Sequence, residues 1–450
     1  MAKAGRPAQH VNDFKPESLL GVPGYVRAGQ TLAGQWWLLS ADNRPFFARG
    51  VAGVNRFGRV GGRGAQPGPY ELAIEQRYGG GTAGFVPATL KRLRSLHCNT
   101  LGAWTGPEFF ECGMFYVETV GFRHAAPETT IKLGGALLPD VFDPRWVNAC
   151  EALAAERCAP RQASRELIGY FTDHGLQWLQ PLAAHGTAAR RERPTLLQVC
   201  LSLEPGFTAY HAAWEFVLAP HGGNLDALAA SWGIEANREA LRQLTLADTP
   251  VTSDGYRKDQ DRFTREFARR YFQTCAAAIR RHDANHLVLG CSFESPPGEA
   301  VLAESVNPFV QVLAVHSRDM ETFETIDTFA RASGMPVLLA EFSWNGEAFT
   351  VRQSHERRQL TSVERMLTNG RAVLARACAH PSLVGYIWAR WADTPEELPP
   401  FGTGLVHVND LEALEHTELL AALNDRADAL RRITGVRLHH PQRVLKPKRF

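Results

Sequence analysis

Short, almost wholly apolar runs recur along the chain, separated by longer stretches with helical periodicity. The runs are 46–54 (FFARGVAGV), 98–104 (CNTLGAW), 113–122 (GMFYVETVGF), 166–173 (ELIGYFTD), 286–293 (HLVLGCSF), 309–315 (FVQVLAV), 336–342 (PVLLAEF) and 383–391 (LVGYIWARW). Apolarity that does not alternate along such short runs is the mark of parallel strands covered on both faces. Between them, 87–96, 144–157, 261–282, 323–333 and 357–378 read as amphipathic helices. In the third of these, Phe263, Phe267, Tyr271 and Ala278 fall at helical spacing with arginines on the other side. Eight strands alternating with helices predict a (β/α)8 TIM barrel, whose chemistry sits where the strands end.

Three stretches fall outside that rhythm. The segment 179–260 is too long for a single crossover and carries its own helices and the joint APHGGN, so it reads as a helical insertion after strand four. Residues 1–45 form an N-terminal segment whose YVRAG and QWWLLSAD predict a β-hairpin plugging the barrel entrance. The barrel proper is assigned to 46–435, and 436–450 to a basic tail running over the surface.

Composition narrows the function classes. Forty-nine Lys and Arg stand against 47 Asp and Glu, a balance that argues against a nucleic-acid binder. No apolar run approaches the roughly 20 residues that span a bilayer, so no membrane partner is expected. The first twenty residues lack an apolar core of the signal-peptide kind. Eight cysteines without a C-x-x-C pair give neither a disulfide scaffold nor a ribbon-type zinc site, so reduced thiols and a cytoplasmic location are the expectation.

The predicted strand ends carry Asn55, Trp104, Asp173 with His174, Glu294, His316, Glu341, and Arg390 with Trp391. Glu341 is the sharpest of these. A charge at the end of PVLLAEF is costly unless the strand opens into a polar cavity or meets a partner. It reads as a catalytic carboxylate or as half of a structural ion pair. Asp173 and His174 end strand four likewise, as an orienting pair, an acid/base or a polar strand cap. Trp104, Trp178, Trp388 and Trp391 lie at or beyond strand ends, where indoles either stack on sugar rings or fill the core. Arg56, Arg59 and Arg63 lie among glycines in the loop after strand one, suiting either an anionic substituent or a solvated loop.

In this order and spacing, WWLLSADNRPFFARGV, CNTLGAW, IGYFTDHGLQW, HLVLGCSF, MPVLLAEFSW, IWARWAD and GLVHVNDLEALEHTELLAALNDRADALR resemble the β-agarases and related clan A barrel glycoside hydrolases. The likeness runs from about 35 to 432. It implies a retaining mechanism with a general acid at the end of strand four and a nucleophile at the end of strand seven. Glu341, in Ala340-Glu341-Phe342, matches the nucleophile; Trp104 and Trp391 match the aromatics after strands two and eight. The expected partner is an oligosaccharide, a β-linked galactoside or a related sugar, one with an anionic or other substituent included, with no cofactor and no metal.

One departure is chemical. Where the family has Asn-Glu after the strand-four Asp, this chain has His174-Gly175. The position of the general acid is glycine, and the Asn that contacts the sugar 2-hydroxyl is His174. A second departure is Val315-His316-Ser317 on strand six, in place of an Asn-containing segment. General-acid help contributes 10²–10⁴-fold, roughly 3–5 kcal/mol of barrier. Asp173, His174, Glu204 and Glu294 are the candidate replacements, and His174 leads, because a histidine donates protons near neutral pH and Asp173 beside it would stabilise the cation. The leading expectation is a retaining glycoside hydrolase with a non-standard acid. A catalytically inactive carbohydrate-binding barrel and a metal-dependent barrel hydrolase or isomerase are the alternatives.

Overall fold

The computed structural model describes residues 13–59, 64, 66–132, 137–176, 178, 195–234, 253–293, 298, 301–306, 308–317, 322–344, 363–395 and 402–439. Its centre is a closed barrel of eight parallel strands: β1 Ala48–Val51, β2 Thr100–Leu101, β3 Phe115–Thr119, β4 Leu167–His174, β5 Leu287–Phe293, β6 Leu313–Ser317, β7 Val337–Phe342 and β8 Leu383–Trp388. Six lie within a predicted run, while β4 runs one residue past its run, to His174, and β6 two residues past, to Ser317. Closure comes from β8 pairing with β1 through Gly385↔Ala48 to Trp388↔Val51. The (β/α)8 fold read from the sequence is the fold of the protein.

The unbroken apolarity of the runs has a direct cause: each strand feeds two cores. Ala48, Ala52, Ala103, Val117, Ile168, Leu289, Ala314, Leu338, Ala340 and Ile387 belong to an inner cluster. Val51, Leu101, Tyr116, Leu167, Val315, Leu339 and Leu383 belong to an outer one shared with the helices. Small inward residues let the strands close tightly. At Gly169 a Cβ would lie 2.1 Å from the Leu287 carbonyl oxygen, and at Gly385 2.4 Å from Ala48 Cβ. Neither position tolerates a side chain without backbone movement.

Helices Phe85–Ser95, Pro144–Arg157, Asp254–His282, Thr322–Ser333 and Val363–Ala379 correspond to the five predicted segments. Residues 357–362 of the last prediction lie outside the described residues. Between β4 and Asp254–His282 the insertion contributes Leu196–Ser202, Thr208–Leu218 and Leu225–Trp232. The first begins in a capping box, Thr195 with Gln198, and the third on Asn224, whose side chain accepts from two backbone N–H groups.

The predicted hairpin forms from Arg27–Gln30 and Trp36–Leu39, with Pro45–Phe46 as a third strand. It covers the end where the barrel strands begin. The Trp36 N–H reaches the Pro381 carbonyl, and Phe46 stacks on Phe115, ring centroids 3.9 Å apart. The opposite end, where the strands finish, is thereby left for chemistry. The last helix, Leu414–His439, continues past the expected boundary at 435; the rest of the predicted tail, 440–450, lies outside the described residues. Arg431 fastens this helix to the barrel base. It is fully buried, donates to the carbonyls of Trp36, Cys378 and His380, and lies over the rings of Trp37 and Phe47. Burial lowers its pKa to about 9, still above neutral, so the cation persists among carbonyl dipoles and aromatic faces.

His416, in the first turn of the same helix, braces the strand-seven end. The Trp344 indole N–H donates to its Nδ1 at 3.0 Å, and its Nε2 meets the Gly402 carbonyl at 3.0 Å. That pattern requires the neutral imidazole with the proton on Nε2, because a protonated Nδ1 cannot accept. Burial, the largest influence, holds its pKa below the usual histidine value, with the Gly402 bond opposing. The folded state therefore binds this proton less readily than the unfolded one. The contribution is present above about pH 6.5 and lost as pH falls through the lower folded value. Denaturant melts at pH 7.5 and pH 5 are expected to show the wild type losing more stability on acidification than His416→Gln, which lacks this titration.

Candidate active site

Three side chains from three strands converge at the open end of the barrel. Glu341 on β7 and His316 on β6 are direct register partners. His174 ends β4, opposite Ser292 on β5. His174 Nε2 lies 3.0 Å from Glu341 Oε2, and His316 Nδ1 lies 3.7 Å from the same oxygen. One ligand-type atom from each of the three falls within 4.8 Å of the others. The side chains are close to fully buried, 9% exposed for His174, 11% for Glu341 and 6% for His316. The two imidazoles face each other at a centroid distance of 4.2 Å, and Trp104 meets His174 edge-on at 4.1 Å. A carboxylate this buried requires compensation, and two imidazoles supply it.

Around this cluster the predicted residues divide. Asp173 does not join it. Its carboxylate accepts the Arg123 backbone N–H at 3.1 Å on both oxygens and the Tyr271 hydroxyl at 2.5 Å. Tyr271 lies on Asp254–His282, so Asp173 ties β4 to the outer helical layer. Burial pushes its pKa up to about 7, against the lowering effect of those hydrogen bonds. The expectation that Asp173 supports His174 is thus replaced: the carboxylate on His174 is Glu341.

Asn55 lies beside the site as a bracket. Its amide N–H groups donate to the carbonyls of Arg59 and Trp104, and its oxygen accepts from Phe57 and Gly58. With donors and acceptor occupied by backbone, it fixes the loop after β1 and holds Trp104, whose φ of +59° is unusual for so bulky a residue. Arg56 and Arg59 bond to carbonyls of Gly80 and Gln66, the latter in their own loop; Arg63 lies outside the described residues.

Of the four tryptophans, only Trp104 contacts the cluster. Trp178, Trp388 and Trp391 are 1%, 0% and 1% exposed. Trp178 stacks on Phe272, Trp388 packs on Trp344 and donates to the Thr403 carbonyl, and Trp391 donates to the Tyr70 hydroxyl. These three fill the outer core and present no face for stacking, so the expectation of several aromatic platforms reduces to one. Arg390 begins a short strand, Arg390–Ala392, that pairs with Gly404–Val406 beyond β8. Glu294 lies outside the described residues. Glu204 follows helix Leu196–Ser202 in the insertion.

Ser292 and the backbone conformation of Gly175 escaped the sequence reading. Ser292, level with His174, is fully buried and its hydroxyl has no hydrogen-bond partner; its only signal was a polar residue inside the apolar run HLVLGCSF. Gly175 adopts φ +66°, and its N–H donates to the Ser292 carbonyl at 3.0 Å. A left-handed backbone suits glycine and would strain a larger residue at this position.

With the geometry established, the chain falls into the class of (β/α)8 barrels whose site gathers at the strand C-terminal ends. It is β-agarase-like, and the likeness extends over most of its length. It is 23% identical to Beta-agarase A of Vibrio sp. (strain JT0107) over 326 residues, 68% of this chain and 32% of that protein. Beta-agarase B of the same organism is 20% identical over 386 residues, 80% of this chain and 38% of that one. The chain therefore spans about a third of the length of these relatives. No protein-family model matches it. Among solved structures, PfGH50B aligns with TM-score 0.73 at 16% identity, covering 94% of this chain and 70% of the other. An exo-beta-agarase aligns with TM-score 0.69 at 17% identity, covering 92% and 66%. At these identities the structural likeness speaks for the fold.

Removing the Asn55 bracket tests how the site is held. Asn55→Ala strands two N–H groups and two carbonyls, and is expected to lower unfolding free energy by about 2–4 kcal/mol in denaturant titrations.

Proposed function

We propose that the chain is a retaining glycoside hydrolase acting on a β-linked galactoside or a related oligosaccharide, with Glu341 as nucleophile and His174 as carrier of the leaving-group proton. The observation that carries this reading is the 3.0 Å contact between Glu341 and His174 at the mouth of a β-agarase-like barrel. Glu341 forms an ester with the anomeric carbon while the glycosidic bond breaks. The electron pair leaves with the aglycone oxygen, which takes the His174 proton. Water then hydrolyses the ester and returns a proton to His174. The starting hydrogen bond matters here: as Glu341 gives up its charge to the sugar, its hold on the histidine proton weakens. Proton release is thereby coupled to bond formation. Trp104, edge-on to His174, offers the aromatic wall for the sugar ring.

Gly175 favours a second reading, a barrel that binds sugar without cleaving it. The two are separable. Incubation with a series of 2-deoxy-2-fluoro glycosyl fluorides is expected to leave a glycosyl ester on Glu341, read as a mass increase on its peptide. A folded sample that acquires no adduct across several sugars, yet binds oligosaccharides by calorimetry, establishes the binding barrel instead. Under the hydrolase reading His174→Asn should slow natural oligosaccharides by ~10²–10⁴-fold. Nitrophenyl glycosides, whose leaving groups need little protonation, should slow far less. Equal losses on both would remove His174 as proton carrier.

A further inference from the structure

We infer that His174, His316 and Glu341 form a binding site for one Zn²⁺ ion, so that the same oxygen proposed to attack sugar can instead be held by metal. Two imidazoles and a carboxylate are the donor set of one common kind of open zinc site, with a remaining position for water. At zinc–ligand distances near 2.0–2.1 Å, tetrahedral ligand atoms sit roughly 3.3 Å apart. The observed separations of 3.0 Å and 3.7 Å from Glu341 Oε2 straddle that spacing. All three ligand-type atoms lie within 4.8 Å of one another, so small side-chain rotations gather them around one point.

The placement favours a metal over a purely structural contact. The ligands come from β4, β6 and β7, rigid strands whose register fixes His316 opposite Glu341. None comes from a mobile surface. Each side chain is about nine-tenths buried, which limits competition from bulk water. Nδ1 of His174 has no hydrogen-bond partner. Among the described residues, no other group of three His, Cys, Asp or Glu has this geometry. The charge also fits, because a dication compensates the Glu341 carboxylate directly.

The consequence for catalysis rests on the proposed role of Glu341: with Oε2 on zinc and His174 Nε2 ligated, neither attack nor proton transfer is available, and zinc acts as an inhibitor. The binding itself is independent of that role. The test is calorimetric titration of the chelator-treated, dialysed full chain with Zn²⁺, together with visible absorption after adding Co²⁺. One ion per chain and an intense Co²⁺ ligand-field band are expected. His316→Ala and Glu341→Gln, each confirmed as folded by circular dichroism, should raise the dissociation constant by at least ~10-fold; His316→Gln serves if the alanine variant does not fold. His407→Ala, whose imidazole pairs with Asp393 away from the cluster, should bind as wild type does. Folded wild type that takes up no zinc and gives no cobalt band overturns the site, as does binding unchanged in both ligand variants. Zinc binding by a chain that shows no glycoside turnover when metal-free would remove the hydrolase reading and leave the metal site standing; turnover without zinc binding would do the reverse.

Discussion

Parallel strands that close on themselves must satisfy two cores with one set of short segments, and this constraint governs the rest of the structure. Closure between β8 and β1 fixes the barrel circumference, and the interior is filled by Ala48, Ala52, Ala103, Ala314 and Ala340 alongside the larger Ile168, Leu289, Leu338 and Ile387, with glycines where neighbouring backbones approach most closely. The packed interior cannot admit a ligand. The hairpin built on Trp36–Leu39 covers the end where the strands begin, and Arg431 clamps the final helix to that base. Polar side chains can then converge only at the other mouth, and His174, His316 and Glu341 do so.

Electrostatics decides what that convergence can do. A carboxylate buried at a strand end commonly meets an arginine, whose charge does not titrate in the accessible range. Glu341 here meets two imidazoles. Imidazole can hold, release or exchange a proton, or bind metal through a lone pair, so the site is chemically reconfigurable where an arginine pair would be fixed. Asp173, one residue from His174, shows the contrast. Backbone and tyrosine donors tie it to the outer layer, where it organises packing. Successive side chains along a strand point to opposite faces, which separates the fates of these two adjacent polar residues.

Much of this was legible in the sequence. The eight strands were readable because two-sided burial writes an unbroken apolar run, and Glu341 because a charge at the end of such a run is expensive. The meeting of His174 with His316 was not, since it depends on which strands become neighbours and in what register. The tryptophans misled for a physical reason: large indoles near strand ends serve equally to seal the outer core, and Trp178, Trp388 and Trp391 do so. Asn55 looked like a ligand-facing amide because sequence gives no sign that its bonds are spent on four backbone partners.

The substitution at strand four is more than the loss of a side chain. With Gly175 at φ +66° and its N–H bonded to the Ser292 carbonyl, a glutamate there would have to adopt a left-handed backbone or break the β4–β5 connection. Restoring an acid by changing Gly175 alone therefore adds strain where it adds chemistry. His174 lies one residue earlier, at the end of β4, with its imidazole directed at Glu341. Under the proposed mechanism, placing the proton carrier at His174 also brings its nitrogen within reach of the Glu341 carboxylate. The same arrangement that the proposed mechanism uses for proton transfer thus suits a divalent metal. Proton carrier and metal ligand are two uses of one nitrogen lone pair, and only one can be in force at a time.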